Sequence, residues 1–287
     1  MSTVPVISNS LISFKKISTC ESFAPTDPIG IFDSGLGGLV IVRALDHLLP
    51  RENFIYFGDL AHMPYGDKSR AAVQAYSVQA CNRLLVYRCK MIIIACNTAT
   101  ATSLALLKNY LPPQLLMGNV IQPTVRYVAH HYGHHRLGLI ATERTVRSRV
   151  YETQLHKRRA LLAPPVCALP TPLLAPMIEE RFLSAEFDRA MIHQYLRHPV
   201  LADIDALILG CTHYPFIKTD IEQYYQGRVS VIDPTEIIAH SVRQTLSQHA
   251  LMNVYPRRYF YVLSSGVSEQ FQRAVHKVLP EATTRSF

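Results

Sequence analysis

The feature that most restricts how this chain can fold is an alternation of short apolar runs with segments of helical periodicity. The runs are IGIF (29–32), FIYFG (54–58), MIIIA (91–95), LGLIA (137–141), ALILG (206–210) and VSVID (229–233). Between them lie stretches such as GGLVIVRALDHLL and SRAAVQAYSVQACNRLLVY, whose apolar residues recur at helical spacing. Continuous β-branched runs suit strands buried on both faces, and intervening helices supply the crossovers that parallel pairing requires. An α/β fold follows, with mainly parallel sheets flanked by helices.

The order of the runs suggests that the chain is doubled. IGIFDSGLGGL (29–39) and LGLIATERTVR (137–147) each read as strand, small polar turn and helix. Each precedes a strand that ends in cysteine, Asp33 lying 63 residues before Cys96 and Thr142 lying 69 residues before Cys211. Two similar, pseudo-twofold related domains are expected, each with a thiol at a strand end. Open parallel sheets bind ligands beyond the carboxyl ends of their strands, so both thiols are expected in a cleft between the domains.

Global properties limit what a pair of cysteines can mean. At 287 residues the chain is long enough for two domains with ample cores. Its six cysteines (20, 81, 89, 96, 167 and 211) show neither CxxC nor CxxH spacing, so free thiols in a reducing compartment are expected. Cys81, Cys89 and Cys167 read as core residues, and Cys20 lies in a polar extension, residues 1–26, that makes a poor signal peptide. No apolar stretch approaches the roughly 20 residues of a membrane helix, so the expectation is a cytoplasmic protein without membrane association. The net charge of +8 and the cluster HKRR (156–159) come without a nucleic-acid motif or interleaved aromatics. They read as a solvated basic face that draws anionic substrates inward, not as a nucleic-acid site.

Two thiols on opposite sides of one small molecule suit the inversion of a stereocentre beside a carboxylate. One removes the Cα proton as thiolate, and the other returns a proton to the opposite face. A free thiol ionises near pH 8.5, so each needs help from a helix N-terminus, a donor or a histidine. Cys96 is followed by Asn97 and Thr98, and Cys211 by Thr212 and His213. Asp33 could relay protons to Cys96, and His213 to Cys211. Backbone N–H groups at such turns, with Ser and Thr hydroxyls, can hold carboxylates, and Gly35, Gly37 and Gly38 would let the first turn approach a ligand.

FDSGLGGLVIVRAL (32–45), MPYGDKS (63–69), ACNTAT (95–100) and LGCTHYP (209–215) together resemble the glutamate racemases, the cofactor-independent two-cysteine amino-acid racemases of bacterial cell-wall synthesis. The similarity runs from about residue 28 to about 245. It implies that Cys96 acts on D-glutamate and Cys211 on L-glutamate, with Asp33 and His213 as their helpers. It also implies substrate binding by Asp33 with Ser34, by Pro64, Tyr65 and Gly66, by Asn97 with Thr98, and by Thr212 with His213. Glu179 matches an acidic residue behind the histidine, and Thr145 a residue near the substrate carboxylate. Neither pyridoxal phosphate nor a metal is implied. A homodimer and an anionic cell-wall precursor as regulator are left open.

Other signals carry less. GLGGLV (35–40) starts like a dinucleotide fingerprint but has Val40 at its sixth position and an acidic residue before its first glycine. HHYGHH (130–135) has histidines four apart, but Gly133 interrupts the helix that metal ligation would need. Arg144, Arg147 and Arg149 read as surface charge, with a regulator site as the alternative. Competing functions are an aspartate or hydantoin-type racemase, a hydrolase with Cys96 as nucleophile and His213 as base, and a non-catalytic basic binding protein. The expected division is an extension (1–26), a discontinuous first domain (27–120 plus 230–287) and a second domain (121–229).

Overall fold

The computed structural model describes residues 22–184, 187–266 and 268–286, so Cys20 and most of the 1–26 extension lie outside the described residues. Strands β1 (Ile29–Asp33), β2 (Phe54–Gly58), β3 (Met91–Ile94) and β4 (Leu116–Asn119) open a first sheet. Strands β5 (Leu137–Ala141), β6 (Cys167–Pro170), β7 (Ala206–Leu209) and β8 (Ser230–Ile232) build a second, and β9 (Phe260–Ser264) and β10 (Thr283–Ser286) return to the first. The pairing recorded in both sheets is parallel. The inner strands justify it: β1, β2, β3, β5 and β7 are buried along their whole length.

The strand order is β10-β9-β2-β1-β3-β4 in the first sheet and β6-β5-β7-β8 in the second. The segment β2-β1-β3-β4 therefore repeats as β6-β5-β7-β8. Register carries the equivalence to single residues. Phe32 pairs with Ile94 as Ile140 pairs with Leu209, so Cys96 and Cys211, each two residues further on, are equivalent. Asp33 then corresponds to Ala141 and Ser34 to Thr142, which moves the sequence-based pairing of Asp33 with Thr142 by one residue. In each unit the chain leaves the first strand in opposite directions across the sheet, and this switch point opens a crevice at the strand ends.

Eleven helices accompany the strands among the described residues. Of those that frame the cleft, α1 (Leu39–Leu48) follows the glycine turn, α3 (Asn97–Tyr110) follows Cys96 and α5 (Glu143–Arg147) follows Thr142. α4 (Ile121–His131) crosses to the second sheet, while α6 (Val150–His156) and α7 (Leu174–Arg181) belong to it. α10 (Thr235–Gln248) returns between α1 and α4, burying Ile238, Ala239, Val242 and Leu246, so one apolar cluster runs from the first sheet through this seam to the second.

The boundary expected at 229/230 needs correcting, because Ser230–Ile232 pairs with β7 and is the outer strand of the second sheet. The return strand is anchored by polar groups. Lys90 and Glu52, both buried, pair at 2.5 Å, and the other oxygen of Glu52 accepts the Asn253 N–H at 2.8 Å. α4 ends at His131, leaving His134 and His135 off the helix. No helix among the described residues is long and apolar enough to cross a membrane.

Candidate active site

Cys96 stands between β3 and α3 as the N-cap, and its sulfur accepts the Ala99 N–H at 3.4 Å. The Ser34 hydroxyl lies 3.6 Å from the same sulfur. Burial pushes the Cys96 thiol up to about 12, with the nearby Asp33 carboxyl adding to the shift and the Ala99 and Ser34 donors opposing it. Cys96 is therefore a neutral thiol in the resting protein. Asp33 is itself fully buried: burial raises its carboxyl, against the pull of His213 and the Gly35 N–H at 2.8 Å.

Cys211 follows β7 and has a different partner. Its sulfur is 3.5 Å from His213 Nδ1, while His213 Nε2 meets Glu179 Oε1 at 2.6 Å. Burial opposes charge on the imidazole, but Glu179 and Cys211 outweigh it and hold His213 well above its usual range. Glu179 reaches this point from α7 and also accepts the Leu36 N–H at 2.7 Å, so it ties the glycine turn of one domain to the histidine of the other. His213 contacts Cys211, and among the described residues no hydrogen bond joins it to Cys96 as the nucleophile and base pair of a hydrolase would need.

The remaining contacts cross the cleft. Thr212 donates to Asp33 Oδ2 at 3.1 Å. Thr98 lies 2.8 Å from the Thr142 hydroxyl and 3.4 Å from that of Thr145, which itself lies 3.0 Å from Thr142. Tyr151 donates to Asn97 Oδ1 at 2.7 Å. The glycine turn permits this approach: a Cβ on Gly37 would stand 2.5 Å from Thr212 Oγ1 and 2.7 Å from His213 Nδ1, and one on Gly35 would stand 2.2 Å from Glu179 Oε1. These glycines make room for the opposite domain.

The structure adds a partner for Tyr65 that the sequence did not show. Its side chain is buried and donates to Asp59 Oδ2 at 2.6 Å, so the hydroxyl is already engaged. What Tyr65 and Gly66 can offer the cleft is main chain, and Gly66 faces Thr142 closely enough that a Cβ would lie 3.0 Å from Thr142 Cβ. Pro64, Ser34, Glu179 and His213 line a neighbouring cavity of about 350 Å³. Arg147 pairs with Glu143 at 2.5 Å and Arg149 lies 4.0 Å from Glu152, both as exposed arginines that do not converge on the thiols. Thr142 and Tyr151 were absent from the sequence-based site. Thr142 was visible as a strand end, but nothing local links Tyr151 to Asn97, 54 positions away.

The fold and the cleft are those of a racemase, an enzyme of the isomerase class. Residues 40–242 match the Asp/Glu/Hydantoin racemase family, and the chain belongs to it. It is 37% identical over 246 residues to a glutamate racemase of Neisseria meningitidis, covering 84% of this chain and 89% of that one. The glutamate racemase of Francisella tularensis, solved in complex with D-glutamate, superposes with a TM-score of 0.81 at 35% identity, covering 91% of this chain and 96% of the other. A glutamate racemase isoform from Bacillus anthracis gives 0.84 at 28% identity, with 91% and 97% covered.

Proposed function

We propose that this protein is a glutamate racemase that interconverts L- and D-glutamate by two-thiol proton transfer, supplying D-glutamate for bacterial peptidoglycan synthesis. The observation that carries the reading is the equivalence of Cys96 and Cys211: two buried sulfurs at matching strand ends, each with its own proton partner. Glutamate is favoured over aspartate by the relatives named above.

With L-glutamate bound, the Cys211 sulfur as thiolate takes the Cα proton, and the Cys96 thiol gives its proton to the opposite face. The reverse direction exchanges the roles, and the number of protons on the two sulfurs is conserved in each turnover. Negative charge developing on the α-carboxylate is met by donors already in place at the N-termini of α3 and α5 and by the hydroxyls of Thr98, Thr142 and Thr145. His213 and Glu179 hold a proton beside Cys211, as Asp33 and Ser34 can beside Cys96. Enclosure of the site by both domains excludes water from the carbanion-like transition state.

The test follows each pure enantiomer by circular dichroism and NMR in D2O without added cofactor. Wild type is expected to racemise both, with deuterium entering the product enantiomer first. Cys96→Ala and Cys211→Ala should each lose about 1,000-fold or more. Activity surviving loss of either thiol would overturn the mechanism, and turnover of aspartate but not glutamate would overturn the substrate.

A further inference from the structure

The Asn97 carboxamide is only half satisfied. The residue is 3% exposed and opens α3 directly beside Cys96. Its Oδ1 accepts from Tyr151, while Nδ2 is buried without a hydrogen-bond partner. Buried amide donors are nearly always paired, so an unpaired one beside a reactive sulfur points to a ligand group that completes it. The two ends of a carboxamide have nearly the same shape, so its orientation is fixed by its neighbours. With the phenol donating to Oδ1, both Nδ2 hydrogens remain for an anion. The opposite orientation would present an acceptor to the carboxylate of the substrate.

The phenol comes from the other side of the cleft. Tyr151 lies on α6 of the second domain and is fully buried. By register Asn97 is the counterpart of Thr212, which also bonds across the cleft, to Asp33. In each half, then, the residue after the cysteine is held by the opposite domain.

We propose that Tyr151 is a positioning residue that sets the Asn97 carboxamide so that Nδ2 binds a substrate carboxylate, which makes the assembled two-domain cleft a condition for that contact. The inference rests on the reading of this cleft as the glutamate site. Glutamate racemisation by wild type tests that reading, and the variants test the inference separately.

In Tyr151→Phe, KM for both enantiomers is expected to rise about tenfold with kcat changed by less than about twofold. In an Asn97→Ala background the same substitution should have no further effect on KM, an outcome that a packing role would not produce. Asn97→Asp keeps an acceptor for Tyr151 and replaces the donor with an oxygen, so KM should rise by more than about 100-fold with the melting temperature retained. If Tyr151→Phe does not fold, Asn97→Asp decides. The inference is overturned, with wild type still active, by an unchanged KM in Tyr151→Phe, by an equal effect with and without Asn97, or by ordinary glutamate binding in Asn97→Asp.

Discussion

The two thiols occupy equivalent places in a repeated strand order, yet the residues around them have diverged. Beside Cys96, register puts Asp33 where the second half has Ala141, and Thr98 where the second half has His213. The first half thus supplies a carboxyl from its own first strand. The second supplies an imidazole two residues after its cysteine and steadies it with Glu179 from α7. Cys96 also caps a full helix, whereas Cys211 leads into a short 3-10 turn at Tyr214–Ile217. A shared backbone fixes where both sulfurs stand, and a few substitutions fix which polar groups surround each of them.

That asymmetry has a thermodynamic limit. Enantiomers have equal free energy in water, so the equilibrium constant is unity and kcat/KM must be the same in both directions at every pH. Different surroundings for the two thiols can therefore separate kcat and KM but cannot favour one direction in kcat/KM. A variant that changed the ratio of the two kcat/KM values would show that the proposed reaction is not a simple racemisation.

Short of removing a thiol or the Asn97 donor, the seam between the halves gives the largest expected effect. Gly37→Ala drives a Cβ into Thr212 and the His213 ring, so the halves can no longer meet as they do here, and kcat/KM should fall about 100-fold in both directions. Steady-state kinetics with each enantiomer checks this, with the melting temperature as a control for folding. Full activity in Gly37→Ala would show that the halves need not touch.

Glu179→Gln sharpens the contrast between the thiols. Without the carboxylate, burial is opposed by Cys211 alone and the affinity of His213 for a proton falls. kcat/KM should fall about tenfold, and the alkaline limb of the pH profile should move to lower pH. The stability sign follows from the raised native value: stabilisation by the pair is complete below the unfolded histidine's pKa of about 6.5 and fades as pH rises through the native value. The melting-temperature difference between wild type and Glu179→Gln should thus be larger at pH 6 than at alkaline pH. An equal difference at both would remove charge from the account of the Cys211 half.

The smallest effect belongs to a thiol outside the cleft. Cys81 is buried in the core of the first domain, where burial pushes its thiol up to about 12. Cys96 is pushed up to the same value, so what sets the proposed catalytic thiol apart is its place at a strand end. Cys81→Ala should keep kcat/KM within about twofold while costing some thermal stability. Iodoacetamide labelling of wild type, resolved by peptide mass, should find Cys81 unreactive.

Legibility varied with how local each cause was. β1, β2, β3, β5 and β7 were visible because burial on both faces leaves an unbroken apolar run in the sequence. The edge strands β4 (LMGN) and β6 (CALP) were not, since a short, partly exposed strand carries little pattern and proline ends one of them. β9 could be suspected from RRYFYVLSSG, but its place beside β2 depends on contacts far apart in the chain. The main-chain N–H groups of Arg258 and Tyr259 donate to Asn53 Oδ1, and Asn253 is bonded to Glu52. At the site, the Asp33, Cys96, Cys211 and His213 strings were readable because each sits at the end of a recognisable run, whereas the engagement of Tyr65 by Asp59 was not.

The sequence by itself determined a duplicated α/β chain with one cysteine at an equivalent strand end in each half, because periodicity and strand-end position are encoded within a few neighbouring residues. Only the tertiary structure decided what each sulfur meets. Asp33 with Thr212, Glu179 with His213 and Leu36, and Tyr151 with Asn97 join residues 34 to 179 positions apart. Such pairings arise when two separately wound sheets pack through the α1–α10–α4 seam, and no local pattern of residues specifies them.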